Sequence, residues 1–158
     1  FAKDYRKFIE DNTNINKPKI GNIKSINGDI LGTHKGIHNF TIGQRRKLGI
    51  DSLGAKYVVS IDFKDSSVIV GEEEDLYSDR LIATNLNWSI DKNKIYNLNI
   101  KAKVRYRSPE TPVSIKFVDD NRVQVIFKTP QRALTPGQAI VFYLGDKVIG
   151  GGWIDKAK

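Results

Sequence analysis

The sequence predicts a mainly β protein, with one short N-terminal helix, a small β-rich domain and then a C-terminal β-barrel. Three observations support this class. Short apolar runs alternate with polar residues along most of the chain, which is the period of half-buried strands. Glycine, proline or asparagine separates the runs, as in hairpins. In the second half, five to six such strands follow one another without intervening helices, which is typical of a small closed barrel.

The first domain is predicted to begin with a helix and to continue as hairpins. Asp4 can cap a helix over Asp4–Asp11, in which three apolar side chains form one stripe. The Asn27-Gly28 dipeptide lies between isoleucine-rich runs and predicts a tight hairpin in which both turn residues have positive φ. Strands at Tyr57–Phe63 and Val68–Gly71 predict a second hairpin.

An acidic segment, Glu72–Asp79, is predicted to be an exposed connector between two domains. We therefore expect the first domain at residues 1–75 and the barrel at residues 76–158. Within the barrel, two hairpins are predicted to turn at Asp119–Asn121 and at Gly145–Asp146.

The composition restricts the classes of function. Residues 79–158 carry +7 of the net charge of +8, so a polyanionic partner is expected there, with a solvated basic face as the alternative. The chain has no cysteine, which excludes disulfides, thiolate nucleophiles and Cys-ligated metals within it. No apolar run approaches the ~20 residues of a membrane span, and we expect no membrane contact. Because the chain also lacks methionine, even at position 1, we expect it to be part of a longer protein.

The segment 32–50 is rich in glycine and basic residues and contains no acid. Its Gln44-Arg45 sequence lacks the Gly-Lys-Ser/Thr ending of a phosphate loop, so nucleotide binding is not favoured. His34 and His38 have the spacing of a metal pair on a helix, but neighbouring glycines disfavour a helix and no third ligand is close in sequence. A phosphate contact by the arginines and an exposed basic turn remain equally open.

The segment "KAKVRYR" (Lys101–Arg107) is more informative. On a regular strand its four cations, which include Arg105 and Arg107, share one face, and Tyr106 packs inward. Four like charges on one face favour a contact with phosphates over a merely solvated face. A strand end near Ser108-Pro109 would instead free Tyr106 to stack on a base.

Two further segments lie near the C-terminus. Pro136-Gly137 predicts a type II turn that could aim the Gln138 amide at a base or ribose, although the residues alone favour a simple barrel corner. Three glycines before Trp153 predict a kink or a close backbone approach, with Trp153 in the core. No nucleophile, base and acid are arranged for covalent catalysis, so the residues alone indicate a non-catalytic module that binds RNA.

Four blocks of the sequence occur in a characteristic order: "GTHKGIHNFTIGQRRKLGI", "YVVSID…VIVGEEEDLYSDRL", "KVRYRSPETPVSI" and "PQRALTPGQAIVFYLGDKVIGGGWI". Together they resemble the bacterial tRNA-specific 2-thiouridylase family over nearly the whole chain. The resemblance implies that this chain is the central domain and the C-terminal β-barrel of a longer cytoplasmic enzyme. That parent would use ATP and a sulfur-carrier protein to thiolate C2 of the wobble uridine in certain tRNAs.

The resemblance also implies which residues act. The family's nucleotide loop, catalytic aspartate and cysteines lie upstream, so we expect no catalytic residue, cofactor, metal site or independent activity in this chain. The family's Arg-Tyr, Thr-Pro-Gly-Gln and Gly-Gln-Arg motifs imply the tRNA contacts. The residues predicted to contact tRNA are Arg105, Tyr106, Arg107, Gln138, Gln44 and Arg45. The alternative function is a non-catalytic β-barrel that docks the sulfur-carrier partner.

Overall fold

The computed structural model describes residues 19–51 and 54–157, and the predicted helix at Asp4–Asp11 lies outside them. The chain divides into two compact units, Phe1–Leu76 and Tyr77–Lys158. Strands dominate the described residues of both units, which confirms the mainly β class. No helix in the described part of the chain is long and apolar enough to cross a membrane.

The first unit contains a four-stranded mixed sheet. Its strands are β1 (Gly21–Ser25), β2 (Ile30–His34), β3 (Tyr57–Asp62) and β4 (Ser67–Gly71). They lie in the order β2-β1-β4-β3, with β1 and β4 parallel and the other neighbours antiparallel. Both predicted hairpins are thus confirmed, and a short 3₁₀ turn follows β2 at Ile37–Asn39. The buried core of this unit consists of Ile23, Leu48, Val58, Val68 and Val70.

The turn between β1 and β2 differs from the predicted type. Only Gly28 has a positive φ, at 93°, whereas Asn27 does not. The Gly28 N–H donates to the Ser25 carbonyl (3.0 Å), and the Ser25 N–H donates to the Asp29 carbonyl (2.8 Å). This pattern is that of a longer loop with glycine at the left-handed position, which needs one positive φ rather than two.

The second unit is a closed six-stranded barrel, as predicted. The barrel strands are β5 (Tyr77–Trp88), β6 (Lys101–Lys103), β7 (Thr111–Phe117), β8 (Arg122–Arg132), β9 (Ala139–Leu144) and β10 (Lys147–Ala157). Their order is β10-β5-β8-β7-β6-β9, and β9 pairs with β10 to close the barrel. The hairpins β7–β8 and β9–β10 turn where the sequence predicts. A 3₁₀ turn at Lys92–Asn97 follows β5.

The predicted acidic connector is shorter than expected. Glu74–Leu76 forms a 3₁₀ turn, and β5 begins at once with Tyr77. Leu76 is buried, and Tyr77 already pairs with Arg132 of β8. The apolar and aromatic residues at the end of the segment therefore fold into the two units, and its exposed part is the acidic run that precedes them.

The barrel interior is packed by alternate residues of its strands. Val123, Val125 and Phe127 of β8 are buried, as the two-residue period of a strand requires. Trp88 stacks on Phe142 with ring centroids 4.9 Å apart. The predicted close backbone approach at the three glycines is present: a Cβ on Gly151 would lie 2.8 Å from the Ile140 carbonyl oxygen.

Candidate nucleic-acid interface

The first wall of the candidate site is the turn that follows β6. The strand ends at Lys103, so the predicted continuous strand to Arg107 is wrong. Ser108 explains the early end, because its hydroxyl accepts from the Arg105 N–H (3.1 Å) and donates to the Arg105 carbonyl (2.8 Å). These bonds close a turn over Arg105–Ser108 and replace the strand ladder. The predicted face of four cations therefore does not form.

Tyr106 lies in this turn and is almost fully exposed, at 94%. The strand end thus frees its ring, as the alternative interpretation of the sequence requires, although the end lies five residues before Ser108 and not beside it. Arg105 and Arg107 flank the ring on the chain and are also exposed. A tyrosine that is neither packed nor part of a sheet face is available to stack on a ligand.

The second wall is the predicted turn at Pro136-Gly137. Gly137 has φ of 82°, and the Gln138 N–H donates to the Thr135 carbonyl (3.2 Å), as in a type II turn. Two backbone bonds of 2.8 Å join Gly137 and Gln138 to Ile154 of β10. The turn is therefore held firmly at the end of the barrel.

The side chain of Gln138 has an unusual environment. Its Oε1 is buried and has no hydrogen-bond partner among the described residues. Most buried polar atoms in proteins are paired, so an unpaired amide oxygen calls for an explanation. The residue also lines the cleft between the two walls.

Arg105 connects the two walls. Its guanidinium Nη2 donates to the Ala133 carbonyl, which also accepts from the Thr135 hydroxyl (2.9 Å). The turn that carries Tyr106 is thereby tied to the segment that leads into the Gln138 turn. Arg105 consequently positions the site as well as contributing charge, and its remaining N–H groups are left for a ligand.

A cleft of about 540 Å³ lies between these walls. Among the described residues, its charged lining residues are the cations Lys103 and Arg105, and no carboxylate lines it. Three aromatic residues contribute to the lining: Tyr106, Tyr143 and Trp153.

Trp153 is 52% exposed, so its predicted place in the core is wrong. The next residue, Ile154, is the one that points inward, at 2% exposure. Successive strand residues face opposite sides, and the buried Ile154 therefore puts Trp153 on the outer face of β10. Ile149 of the same strand is buried as well, so strict alternation counted from Ile149 would place Trp153 inside. The register shift between Val148 and Gly150 changes the phase of the strand, and hydrophobic alternation in the sequence does not reveal that shift.

The predicted site residues fall into two groups. Arg105, Tyr106 and Gln138 line the cleft together, while Arg107 shares the first turn but does not line it. Gln44 and Arg45 belong to the first unit. Lys103, one of the four cations predicted to contact phosphates, lines the cleft as well. Tyr143 and Trp153 also line it, and no motif in the sequence marked these two residues as part of the site.

In the first unit, the Gln44 side chain is used to hold its own loop. Its Oε1 accepts from the Thr41 N–H (3.1 Å), and its Nε2 donates to the Arg46 carbonyl (2.9 Å). Arg45 is exposed, and its guanidinium carbon lies 6.0 Å from the centre of the Tyr57 ring, within the range of a cation–π contact. Of the two residues, Arg45 is the one with donors left for an anion.

His34 has a structural position. Its Nδ1 accepts from the Gly36 N–H (3.0 Å), so Nε2 carries the proton and donates to the Ser66 carbonyl (3.0 Å). Burial lowers the pKa of His34, and the bond to Ser66 opposes this only in part. The described residues contain no group of three His, Cys, Asp or Glu side chains that could hold a metal ion. Through its hydrogen bond to Ser66, His34 joins the end of β2 to the turn before β4.

Comparison with known proteins identifies the family. The model for the tRNA methyl transferase PRC-barrel domain matches residues 6–72, and that for the aminomethyltransferase beta-barrel domain matches residues 78–154. The tRNA-specific 2-thiouridylases MnmA of Halothermothrix orenii and Acetivibrio thermocellus are each 47% identical to the chain, over 96% of the chain and 42% of the relative. MnmA of Geobacter metallireducens is 42% identical over 98% of the chain, which spans 41% of that relative. The chain therefore belongs to the tRNA-specific 2-thiouridylase family and corresponds to its central and C-terminal domains.

Proposed function

We propose that this chain is the tRNA-binding part of an ATP-dependent tRNA 2-thiouridylase that thiolates C2 of the wobble uridine. The relatives are named as tRNA-specific 2-thiouridylases, which supports tRNA as the ligand. In this proposal ATP and a sulfur-carrier protein serve the parent enzyme in the cytoplasm. The described residues do not fit ATP themselves, because Gly43 is followed by Gln44-Arg45 without a Lys-Ser/Thr ending or a helix.

The observation that carries the proposal is the lining of the barrel cleft. It combines two cations, three aromatic residues and the Gln138 amide, and it contains no carboxylate. RNA offers phosphates to cations, and unstacked bases to aromatic rings. Proteins that bind single-stranded nucleic acid use this combination of a basic groove with stacking rings.

The proposed role follows from the chemistry of the wobble uridine. An enzyme that modifies a base must take it out of the stack, at a cost of about a few kcal/mol. Contacts with phosphates elsewhere on the RNA position it and offset that cost. The barrel supplies such contacts through Arg105 and Lys103, and Arg45 of the first unit supplies a further one.

The test is a titration of the 158-residue chain with a tRNA that has a wobble uridine, across a series of salt concentrations. We expect binding to weaken steeply with salt, with a slope of about 0.7–0.9 for each phosphate contact. An Arg105→Ala/Tyr106→Ala variant should lose most of the affinity. The matched control is Arg122→Ala/Tyr96→Ala, which removes one arginine and one exposed tyrosine that do not line the cleft.

Two results would contradict the proposal. One is the absence of tRNA binding even at low salt. The other is equal loss in the cleft variant and in the control, which would indicate general charge attraction. Salt-insensitive capture of a sulfur-carrier protein, with no tRNA binding, would favour the alternative role of the barrel as a protein-docking module.

A further inference from the structure

We propose that the barrel cleft receives one unstacked nucleotide of the RNA, whose base stacks on Trp153 and presents a carbonyl oxygen to the Gln138 amide. This inference rests on the proposed function. Beyond that function, it identifies Trp153 as a stacking residue and a single nucleotide as the part of the RNA that enters the cleft. It also predicts a preference for uracil over adenine, because adenine is the one base without a carbonyl group.

The first support is the free face of the Trp153 indole. Its cross-strand neighbours are Ala139 on β9 and Thr84 on β5, and the next pair on the same side of β9 and β10 joins Val141 to Gly151. These neighbours leave Trp153 52% exposed, and no aromatic ring of the described residues stacks on it. The other tryptophan, Trp88, is instead stacked on Phe142.

The second support is the size and composition of the cleft. A volume of about 540 Å³ lies within the range of small-molecule sites and accommodates one nucleotide rather than a duplex. Trp153 lines the same cleft as Tyr106, which is 94% exposed. Base–aromatic stacking is tolerant of sequence, so these rings explain affinity but not a choice among bases.

The third support is the orientation of Gln138. Its carbonyl oxygen is the buried end of the amide, which leaves the NH₂ end as the part that a ligand in the cleft can reach. The charged lining residues, Lys103 and Arg105, are also donors. A cleft that offers donors and no carboxylate suits a ligand that is rich in acceptors, namely a phosphate joined to a base with carbonyl oxygens. Uracil has two such oxygens, and adenine has none.

The experiment uses Trp153 as its own probe. The chain has two tryptophans, and a Trp88→Phe background leaves Trp153 as the single indole. That substitution breaks no hydrogen bond, because Trp88 Nε1 has no partner among the described residues. Three hexanucleotides of equal charge are titrated: oligouridylate, oligoadenylate and an abasic ribose-phosphate chain. Binding is measured by quenching of the indole fluorescence.

We expect oligouridylate to quench Trp153 and to bind more tightly than the abasic chain. The affinity for oligouridylate should exceed the affinity for oligoadenylate by about two- to twelvefold, which is the effect of one neutral hydrogen bond. Gln138→Leu should abolish this difference in affinity. When binding is followed by a label on the RNA, Trp153→Ala should weaken oligouridylate by about five- to 150-fold and leave the abasic chain unchanged.

Control variants distinguish a loss of affinity caused by lost stacking from one caused by unfolding. Trp153→Phe keeps a ring and should retain most of the affinity, and thermal melting reports whether each variant is folded. Tyr96→Ala removes another exposed ring of the barrel, 63% exposed and outside the cleft, and should have no effect. Equal weakening of the abasic chain by Trp153→Ala, or no quenching at low salt, overturns the stacking role. Binding of oligoadenylate as tight as that of oligouridylate overturns the role of Gln138.

The same variants distinguish this inference from the proposed function. If tRNA binding remains salt-dependent and sensitive to Arg105→Ala/Tyr106→Ala but is unaffected by Trp153→Ala, the nucleotide site is wrong and the tRNA-binding role stands. If the chain binds no tRNA at low salt, both are wrong.

Discussion

The buried oxygen of Gln138 leads to a prediction in which stability and binding change in opposite directions. Leaving a buried acceptor without a partner costs about 1–3 kcal/mol, and Oε1 of Gln138 is such an acceptor among the described residues. Gln138→Leu removes this atom and keeps a side chain of similar size. We expect the variant to be more stable than the parent by about 1 kcal/mol, the lower end of that range, because the rest of the side chain is only half-buried.

In a domain the size of Tyr77–Lys158, a change of about 1 kcal/mol corresponds to a shift in Tm of about 4–8 °C. The assay is thermal unfolding followed by circular dichroism, with urea unfolding to give the free energy. The same variant should bind tRNA less tightly, because the donor at the cleft is lost. An amide that lowers the stability of the fold and contributes to binding is an instance of the trade-off between stability and function.

Gln131→Leu is the matched control, since it makes the same chemical change in the same unit. The Gln131 amide Nε2 donates to the Thr129 carbonyl (2.7 Å) and to the Thr111 hydroxyl (3.3 Å). Loss of these bonds should reduce stability by about 0.5–1.5 kcal/mol each. A loss of stability in Gln138→Leu as large as in this control would refute the reasoning, because Oε1 would then have a partner such as an ordered water.

Three further predictions concern pH and packing. Burial lowers the pKa of His34, so the unfolded chain binds a proton on this residue more readily than the folded chain does. The free energy of unfolding of the first unit should therefore fall as pH decreases below 6.5. His34→Gln should reduce this dependence on pH, as measured by urea unfolding at several pH values. Gly151→Ala should destabilise the barrel by about 1–3 kcal/mol in the same assay, since its Cβ would lie 2.8 Å from the Ile140 carbonyl oxygen, and an unchanged Tm would contradict this. Hydrogen bonds from Lys24 and, second, from Ser67 lower the pKa of Asp65 to about 2. Lys24→Met should raise this pKa part of the way towards 3.8 in an NMR titration, and an unchanged pKa would exclude Lys24 as the main cause.

The parts of the fold that depend on residues adjacent in the sequence were predictable from the sequence. Hairpins at Asp119–Asn121 and Gly145–Asp146, and the type II turn at Pro136-Gly137, follow from local turn chemistry. The closed barrel also follows, since six strands without helices have few other ways to remove their edges.

The end of β6 was not predictable from its pattern. Alternation of polar and apolar residues continues through Arg107, whereas the strand stops at Lys103. The cause is the Ser108 hydroxyl, which bonds both the N–H and the carbonyl of Arg105. A side chain that competes with the ladder for backbone groups leaves no trace in hydrophobic periodicity.

The site was only partly predictable, for a related reason. Arg105, Tyr106 and Gln138 could be named from motifs, but their shared cleft depends on a hydrogen bond from Arg105 to Ala133, 28 residues along the chain. The burial of one end of the Gln138 amide likewise depends on packing between strands that are distant in sequence. The exposure of Trp153 was not predictable because a register shift between Val148 and Gly150 changes which residues of β10 face inward, so that both Ile149 and Ile154 are buried.

Closure of the barrel also explains why recognition is assigned to turns. Each barrel strand has a neighbour on both sides, although β7 pairs with β6 only at Thr111 and Pro112, so little free strand edge remains to bind an extended ligand through its backbone. A partner of this unit is therefore expected to be recognised mainly by side chains, and side chains are least packed where strands end. The turns Arg105–Ser108 and Thr135–Gln138 are such ends, and Arg105 fixes them against each other. Affinity should consequently depend on individual side chains at these two turns and on the strand residues that line the cleft between them, Lys103, Tyr143 and Trp153. Substitutions elsewhere on the outer faces of the strands should have little effect.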